Sequence, residues 1–442
     1  MKEMLPVLPV SNSSSQFPIG HWRLGIGNIC TLATFLALLA LSSVVSAAIV
    51  PVSPIDGEVV ARVPDAQKKV MDLATLEERI ALFRQDREKG GKVIRHDPFW
   101  RKATPLTLKW RVTEGETGPW KIEIATNPDL ADPEIRYVSV KSVDPATGRE
   151  TDKDIGGLGG EVVSYTVPRA NLEIARTYWW RVTGLGKPAK DRKKRPTVRS
   201  ETASFATEDR APRWIEIDGK VWNIRDFGGW RTSDGRRVRQ GMAFRGQGLN
   251  NNSVTGERQG RNRLTVEDVK YFTKTLGIKT DLDLRSKGET ADLSESPLGS
   301  GVKLILRSSQ CYKGIFTDDG KKTMAANVRA FCDKTNYPIY FHCIGGADRT
   351  GSLAYVLLGV LGVSRHDIET DWESTFYPNI PDDINEKDPN FWCRESHLTD
   401  GIAKYGAEGD TWQRRCELYL LDCGITKEEF ARLREILLEQ AM

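Results

Sequence analysis

Histidine is scarce in this chain, five among 442 residues. His21, His96, His342, His366 and His397 occupy none of the short spacings that let one helix or hairpin hold a metal. No two of the seven cysteines are spaced like zinc-finger ligands either, so neither a metal nor an organic cofactor is expected. Charge of one sign is not in excess, since 64 lysines and arginines face 60 acidic residues for a formal charge of +4. That balance gives no footprint for a nucleic-acid partner, and the basic run Lys187 to Arg199 reads as a solvated loop. The apolar run Ile29 to Leu41 is shorter than the ~20 residues a membrane span needs. No internal repeat or long low-complexity tract is evident.

That apolar run has the length of a signal-peptide core. Arg23 precedes it and Val45-Ser46-Ala47 supplies a small-residue cleavage pattern. Residues 1–47 are therefore expected to be a signal peptide, the mature protein to begin near Ala48, and a prokaryotic host to export it to the periplasm or beyond. The long stretch before the core leaves an uncleaved membrane anchor as the alternative. Beyond Cys30, the cysteines are Cys311, Cys332, Cys343, Cys393, Cys416 and Cys423. Export invites pairing; a disulfide among Cys393, Cys416 and Cys423 fits, with connectivity left open.

The length after the signal exceeds one ordinary core and predicts two folded units. The first, 48–210, reads as mostly β. Leu106, Leu108 and Trp110 alternate, as do Ile122 with Ile124, and Tyr178 with Trp180 and Val182. Trp120 and Trp179 belong either to its core or to an exposed ligand surface. Val70, Leu73, Leu76, Ile80 and Phe83 recur at helical spacing, which predicts one inserted helix ending before Gly90-Gly91. After the polar linker Glu208 to Pro212, the second unit, 213–442, reads as α/β, with strands near 278–284, 302–307 and 338–342. Its last helix is marked by a Thr426/Glu429 capping box and the apolar face of Phe430, Leu433, Ile436 and Leu437.

The third of those strands runs into His342-Cys343-Ile344-Gly345-Gly346-Ala347-Asp348-Arg349-Thr350-Gly351, followed by an apolar helical stretch. A loop from a strand end to a helix N-terminus aims backbone N–H groups and the positive end of the helix dipole at one point. That field suits a phosphate, and it favours the thiolate of Cys343 as nucleophile. The amides of Ile344, Gly345, Gly346 and Ala347 would cradle the ester, with Gly345 and Gly346 supplying positive φ. Arg349 can hold two phosphate oxygens, and Thr350 can hydrogen-bond the sulfur when it leaves. His342 faces away from the nucleophile by strand alternation and is read as ordering the loop.

This segment resembles the signature loop of cysteine-dependent protein tyrosine phosphatases, in particular the bacterial tyrosine/dual-specificity branch. The segments Asn223-Ile224-Arg225-Asp226-Phe227-Gly228-Gly229-Trp230, Met242-Ala243-Phe244-Arg245, Leu276 to Ser286 and Asp371-Trp372-Glu373-Ser374-Thr375 are similar to further motifs of that branch in the same order. In the first unit, Leu172 before Thr177-Tyr178 resembles the corner motif of fibronectin type III sandwiches. The fold class implied is an α/β phosphatase domain, a central sheet flanked by helices, preceded by an all-β fibronectin type III-like sandwich.

The resemblance implies hydrolysis of phosphate monoesters, phosphotyrosine above all, through a phosphocysteine, without cofactor and with a phosphorylated protein or small phosphate ester as partner. Many relatives carry lysine where this chain has Ala347, which disfavours highly phosphorylated ligands; an inositol phosphate substrate stays open. Asp348 is read either as the general acid or as an acceptor that ties the loop, and Asp283 as a second acid candidate or a structural group. Asp318 and Asp319 are remoter acid candidates. Arg225 and Asp226 are expected to form a buried ion pair with each other. The rival functions are a slow or non-catalytic phosphate-binding module on an adhesive sandwich, and sulfur transfer or arsenate reduction at the same loop.

Overall fold

The computed structural model describes residues 49–90, 101–112, 119–138, 141–143, 150–154, 162–185, 198–250, 262–290, 292–375 and 394–440. The expected signal peptide, His21, His96, Cys393, most of the Lys187–Arg199 run and the His397 side chain lie outside them. One compact unit spans Ala47–Met442.

It opens with β1 (Ile49–Ser53), β2 (Val59–Val60), α1 (Asp65–Met71) and α2 (Leu76–Glu88). Next come β3 (Leu106–Val112), β4 (Trp120–Ala125), β5 (Glu134–Val138), β6 (Lys141–Val143), β7 (Glu150–Asp154) and β8 (Val162–Val167). The strands β9 (Thr177–Gly184), β10 (Val198–Arg199) and β11 (Ala203–Thr207) complete this part. The alternating sequence does what period two demands: β3 buries Leu106, Leu108, Trp110 and Val112 and turns Lys109 and Arg111 outward. A three-stranded sheet β1-β3-β8 and a second sheet β2-β11-β9-β4-β5, with β10 on β9, enclose one apolar core. Trp120 lies in that core, edge-on to Trp110 at 5.6 Å, which removes it as a surface ligand site. The Tyr178 hydroxyl accepts the Glu173 backbone N–H at 2.8 Å, locking the entry to β9.

The expected single inserted helix is two. Thr75 accepts the Glu78 backbone N–H and the Glu78 carboxylate accepts the Thr75 backbone N–H, a reciprocal cap that starts α2 afresh after α1 ends at Met71. The apolar spacing runs across this break without marking it, since Val70 on α1 and Phe83 on α2 are both buried.

The remaining elements are β12 (Arg225–Asp226), β13 (Ala243–Gln247), α3 (Val266–Lys270), β14 (Thr280–Asp283), β15 (Lys303–Leu306) and α4 (Asp318–Phe331). They continue with β16 (Ile339–Cys343), α5 (Asp348–Leu361), α6 (Arg365–Ser374), α7 (Arg394–Ala403), α8 (Trp412–Asp422) and α9 (Lys427–Leu437). The sheet order is β12-β13-β16-β14-β15; β13, β16, β14 and β15 run parallel and β12 antiparallel. Central β16 is buried at every residue, the signature of a parallel strand covered on both faces. Gly351 lets α6 close on α5: a Cβ there would lie 2.5 Å from the Trp372 ring. The Thr426/Glu429 capping box on α9 is formed and its apolar face is buried. Cys416 and Cys423 form no disulfide with each other among the described residues, and Cys393, the third candidate for that bridge, lies outside them. Cys416 is instead packed against Gly359 of α5.

Candidate active site

Cys343 ends β16, 2% exposed, and α5 begins five residues later at Asp348. Burial pushes its thiol up, but the hydroxyl and backbone N–H of Thr350, the Arg349 guanidinium and the Gly346 N–H outweigh burial and hold it below the ordinary thiol range. The Thr350 hydroxyl is buried with no nitrogen or oxygen partner, which leaves it to the sulfur. Gly346 has φ +70°, and a Cβ there would meet the Gly246 carbonyl at 2.2 Å. Gly345, expected to share that conformation, is not among the positive-φ glycines. One left-handed residue suffices for the turn.

Arg349, in the first turn of α5, is held by Glu289 in a two-pronged ion pair, Nη1 to Oε2 at 2.6 Å and Nη2 to Oε1 at 2.8 Å. The Arg349 hydrogen bonds lead in lowering the Glu289 carboxyl, to about 2. Glu289 is itself fixed by the turn after β14, where its Oε2 accepts from the N–H and hydroxyl of Ser286, each at 2.7 Å. A guanidinium so held presents its plane in one orientation, which two-oxygen recognition of a phosphate requires.

Beneath the loop lies a layer of buried charge. Asp371 of α6 bridges Arg225 (Nε to Oδ1, 2.7 Å) and Arg245 (Nη1 to Oδ2, 2.6 Å). Arg245 then donates to the Gly346 carbonyl at 3.1 Å, while Asn223 donates to the Gly345 carbonyl at 3.2 Å and accepts from Arg225 at 2.7 Å. Two loop carbonyls are thereby turned down into the protein. Turning a carbonyl one way turns the neighbouring amide the other, toward the ligand side.

The model of the tyrosine phosphatase family matches residues 216–439. The chain belongs to the tyrosine phosphatase family. A candidate tyrosine-protein phosphatase of Cupriavidus necator is 29% identical over 200 residues, covering 38% of this chain and 67% of that protein. Among solved structures, the core catalytic domain of the PP-IP phosphatase SIW14 from S. cerevisiae with citrate aligns at 19% identity over 29% of this chain and 85% of its own, TM-score 0.22. PTPMT1 in complex with PI(5)P aligns at 12% identity over 43% and 94%, TM-score 0.20.

In this phosphatase the other sequence candidates separate clearly. Asp348 is the first residue of α5, half-buried at the loop's far end. Asp283 is buried and tied to Arg285 at 2.6 Å; burial raises its carboxyl, and His342 with Arg285 more than reverse this, so it is held ionised. A carboxylate kept ionised has no proton to give a leaving group. Asp318 and Asp319 instead stand in the first turn of α4, after the Thr317 cap. His342 bonds Asp281 through Nε2 at 2.9 Å and the Cys343 carbonyl through Nδ1 at 3.2 Å. Burial lowers its pKa, but Asp283 and Asp281 prevail and raise it.

Arg225 and Asp226 do not pair with each other. Adjacent residues on a strand point to opposite faces, and Asp226 meets Arg213 at 2.9 Å while Arg225 meets Asp371. The phosphatase's Glu289 was not foreseen. Its one sequence signal is Ser286 three residues earlier, a capping-box spacing that says nothing of Arg349.

Proposed function

We propose that the chain is an exported phosphatase that hydrolyses phosphotyrosine in two steps through a phosphocysteine at Cys343. The observation that carries this reading is the buried Cys343 sulfur at the end of β16, within electrostatic reach of an Arg349 that Glu289 holds fixed. In the first step the thiolate attacks phosphorus, Arg349 and the amides of Ile344, Gly345, Gly346 and Ala347 take up charge on the equatorial oxygens, and Asp348 gives its proton to the leaving oxygen. In the second, Asp348 takes a proton from water as the water displaces the sulfur, and the Thr350 hydroxyl stabilises the departing thiolate. An aryl ester suits a nucleophile this deep: Cys343 is 2% exposed, while Trp222, beside Gly345, is 37% exposed.

The N-terminal strands are read as a fibronectin type III-like sandwich over 48–210, supported by the two-sheet strand order and the Tyr178 corner bond, with the catalytic domain at 213–442. Export rests on the apolar core and cleavage pattern of residues 1–47.

The test is hydrolysis of an aryl phosphate by the mature protein, with reductant and chelator, against Cys343→Ser and Asp348→Asn. Loss of turnover in Cys343→Ser, and a defect in Asp348→Asn that grows with the basicity of the leaving group, are expected. Wild-type protein that binds phosphate esters without turning them over would make it a phosphate-binding module instead.

A further inference from the structure

We propose that Arg101, on the segment leading into β3, is a substrate-specificity residue that receives a second anionic group, a phosphate or a carboxylate, on the molecule whose ester is cleaved at Cys343. The proposal rests on the phosphatase reading above and adds the substrate class to it.

Between Cys343 and Thr350 the loop has one cation, Arg349, and that one is engaged by Glu289. A second positive charge comes from far away in sequence. The Arg101 guanidinium lies over the Trp222 ring, 4.3 Å from its centroid. The Trp222 ring abuts the loop: a Cβ on Gly345 would lie 3.7 Å from its edge. Arg101 Nη2 donates to the Thr375 carbonyl, and the Thr375 hydroxyl accepts from Arg225 at 3.0 Å within the layer that holds the Gly345 carbonyl.

What is missing around Arg101 points to a ligand. Its Nε is buried with no acceptor, and no carboxylate pairs with it among the described residues. Burial lowers its pKa to about 10, and the like charge of Arg225 adds to this, so it stays protonated at neutral pH without a counter-charge among the described residues. A guanidinium held this way, in a left-handed backbone conformation at φ +62°, is costly unless an anion arrives. It stands beside the loop where a substrate phosphate is read, so a substrate with an anion at each end would answer both arginines.

The readout is the ratio of kcat/KM within two matched pairs: 1,3-phenylene bisphosphate against phenyl phosphate, and a phosphotyrosine peptide with an adjacent Glu against the same peptide with Gln. Wild type is expected to favour the member with the second anion, and Arg101→Ala to reduce that ratio about tenfold, with Arg101→Lys in between, as loss of one charge-assisted contact implies. The pair that responds tells phosphate from carboxylate. Equal losses on both members of each pair, together with a lower Tm, would reduce Arg101 to a structural tie and overturn the proposal, as would a wild type without preference in either pair. If the protein turned over no monoester, the phosphatase reading would fail separately. Calorimetric binding of the same pairs to wild type and Arg101→Ala would still decide the role of Arg101.

Discussion

Burial by itself would make Cys343 inert, as it does for Cys332, whose thiol burial pushes up to about 11. The difference lies in the donors around the sulfur, Thr350 foremost, which stabilise the thiolate more than burial penalises it. Since the folded-state pKa is depressed, Cys343 is ionised at pH values where an ordinary thiol is protonated. Alkylation by iodoacetamide, followed from pH 5 to 9, should therefore reach its plateau at lower pH than Cys332 of the unfolded chain. Thr350→Val should move the profile to higher pH and slow alkylation several-fold at pH 6; an unmoved profile would remove the hydroxyl from the account. At this scale the sequence was readable where the chemistry is contiguous, from Cys343 to Thr350. It was silent on Glu289, and it placed Asp371 in a family-like segment without its partners, because Arg349 and Arg245 lie 60 and 126 residues away from these carboxylates, and no local pattern encodes such a pairing.

Among the elements, α6 carries both ends of a relay. Its Asp371 holds Arg225 and Arg245 under the loop, and two residues on, Glu373 receives Arg79 of α2, with Nη2 to Oε1 at 2.7 Å and Nε to Oε2 at 2.6 Å, both side chains 1% exposed. Removing one partner of such a pair leaves a buried charge, so Arg79→Met should cost about 3–5 kcal/mol in urea unfolding and lower kcat as α6 shifts. The double variant Arg79→Met/Glu373→Leu should recover most of that stability, and a double variant no better than the single would contradict a charge-pair role. Strand alternation in β3 and β9 and the capping box of α9 were legible because each is local. The break between α1 and α2 does not show in the apolar spacing, which runs on past the Thr75/Glu78 cap, and the Arg225 and Asp226 partners do not show because adjacent strand residues face opposite ways.

At the level of the whole molecule, residues 49–210 are joined to the later part of the chain by buried polar contacts as well as by a linker. Trp214 donates to the buried Gln67 at 3.0 Å, Arg79 reaches α6, and Arg101 reaches Trp222 and Thr375. Length predicts two units and cannot predict this seam, since its residues are scattered and each is unremarkable alone. The seam sets the α2 arginine and the mouth of the loop in one frame with the nucleophile. All of it serves a single chemical claim, that Cys343 becomes covalently phosphorylated. The decisive measurement is rapid acid quench of the mature protein turning over phenyl phosphate, with mass spectrometry of the peptide that holds Cys343. A phosphoryl group on Cys343 that appears within the first turnover, and is absent in Cys343→Ser, is the predicted result. Turnover with no adduct on Cys343, persisting in Cys343→Ser, would contradict it.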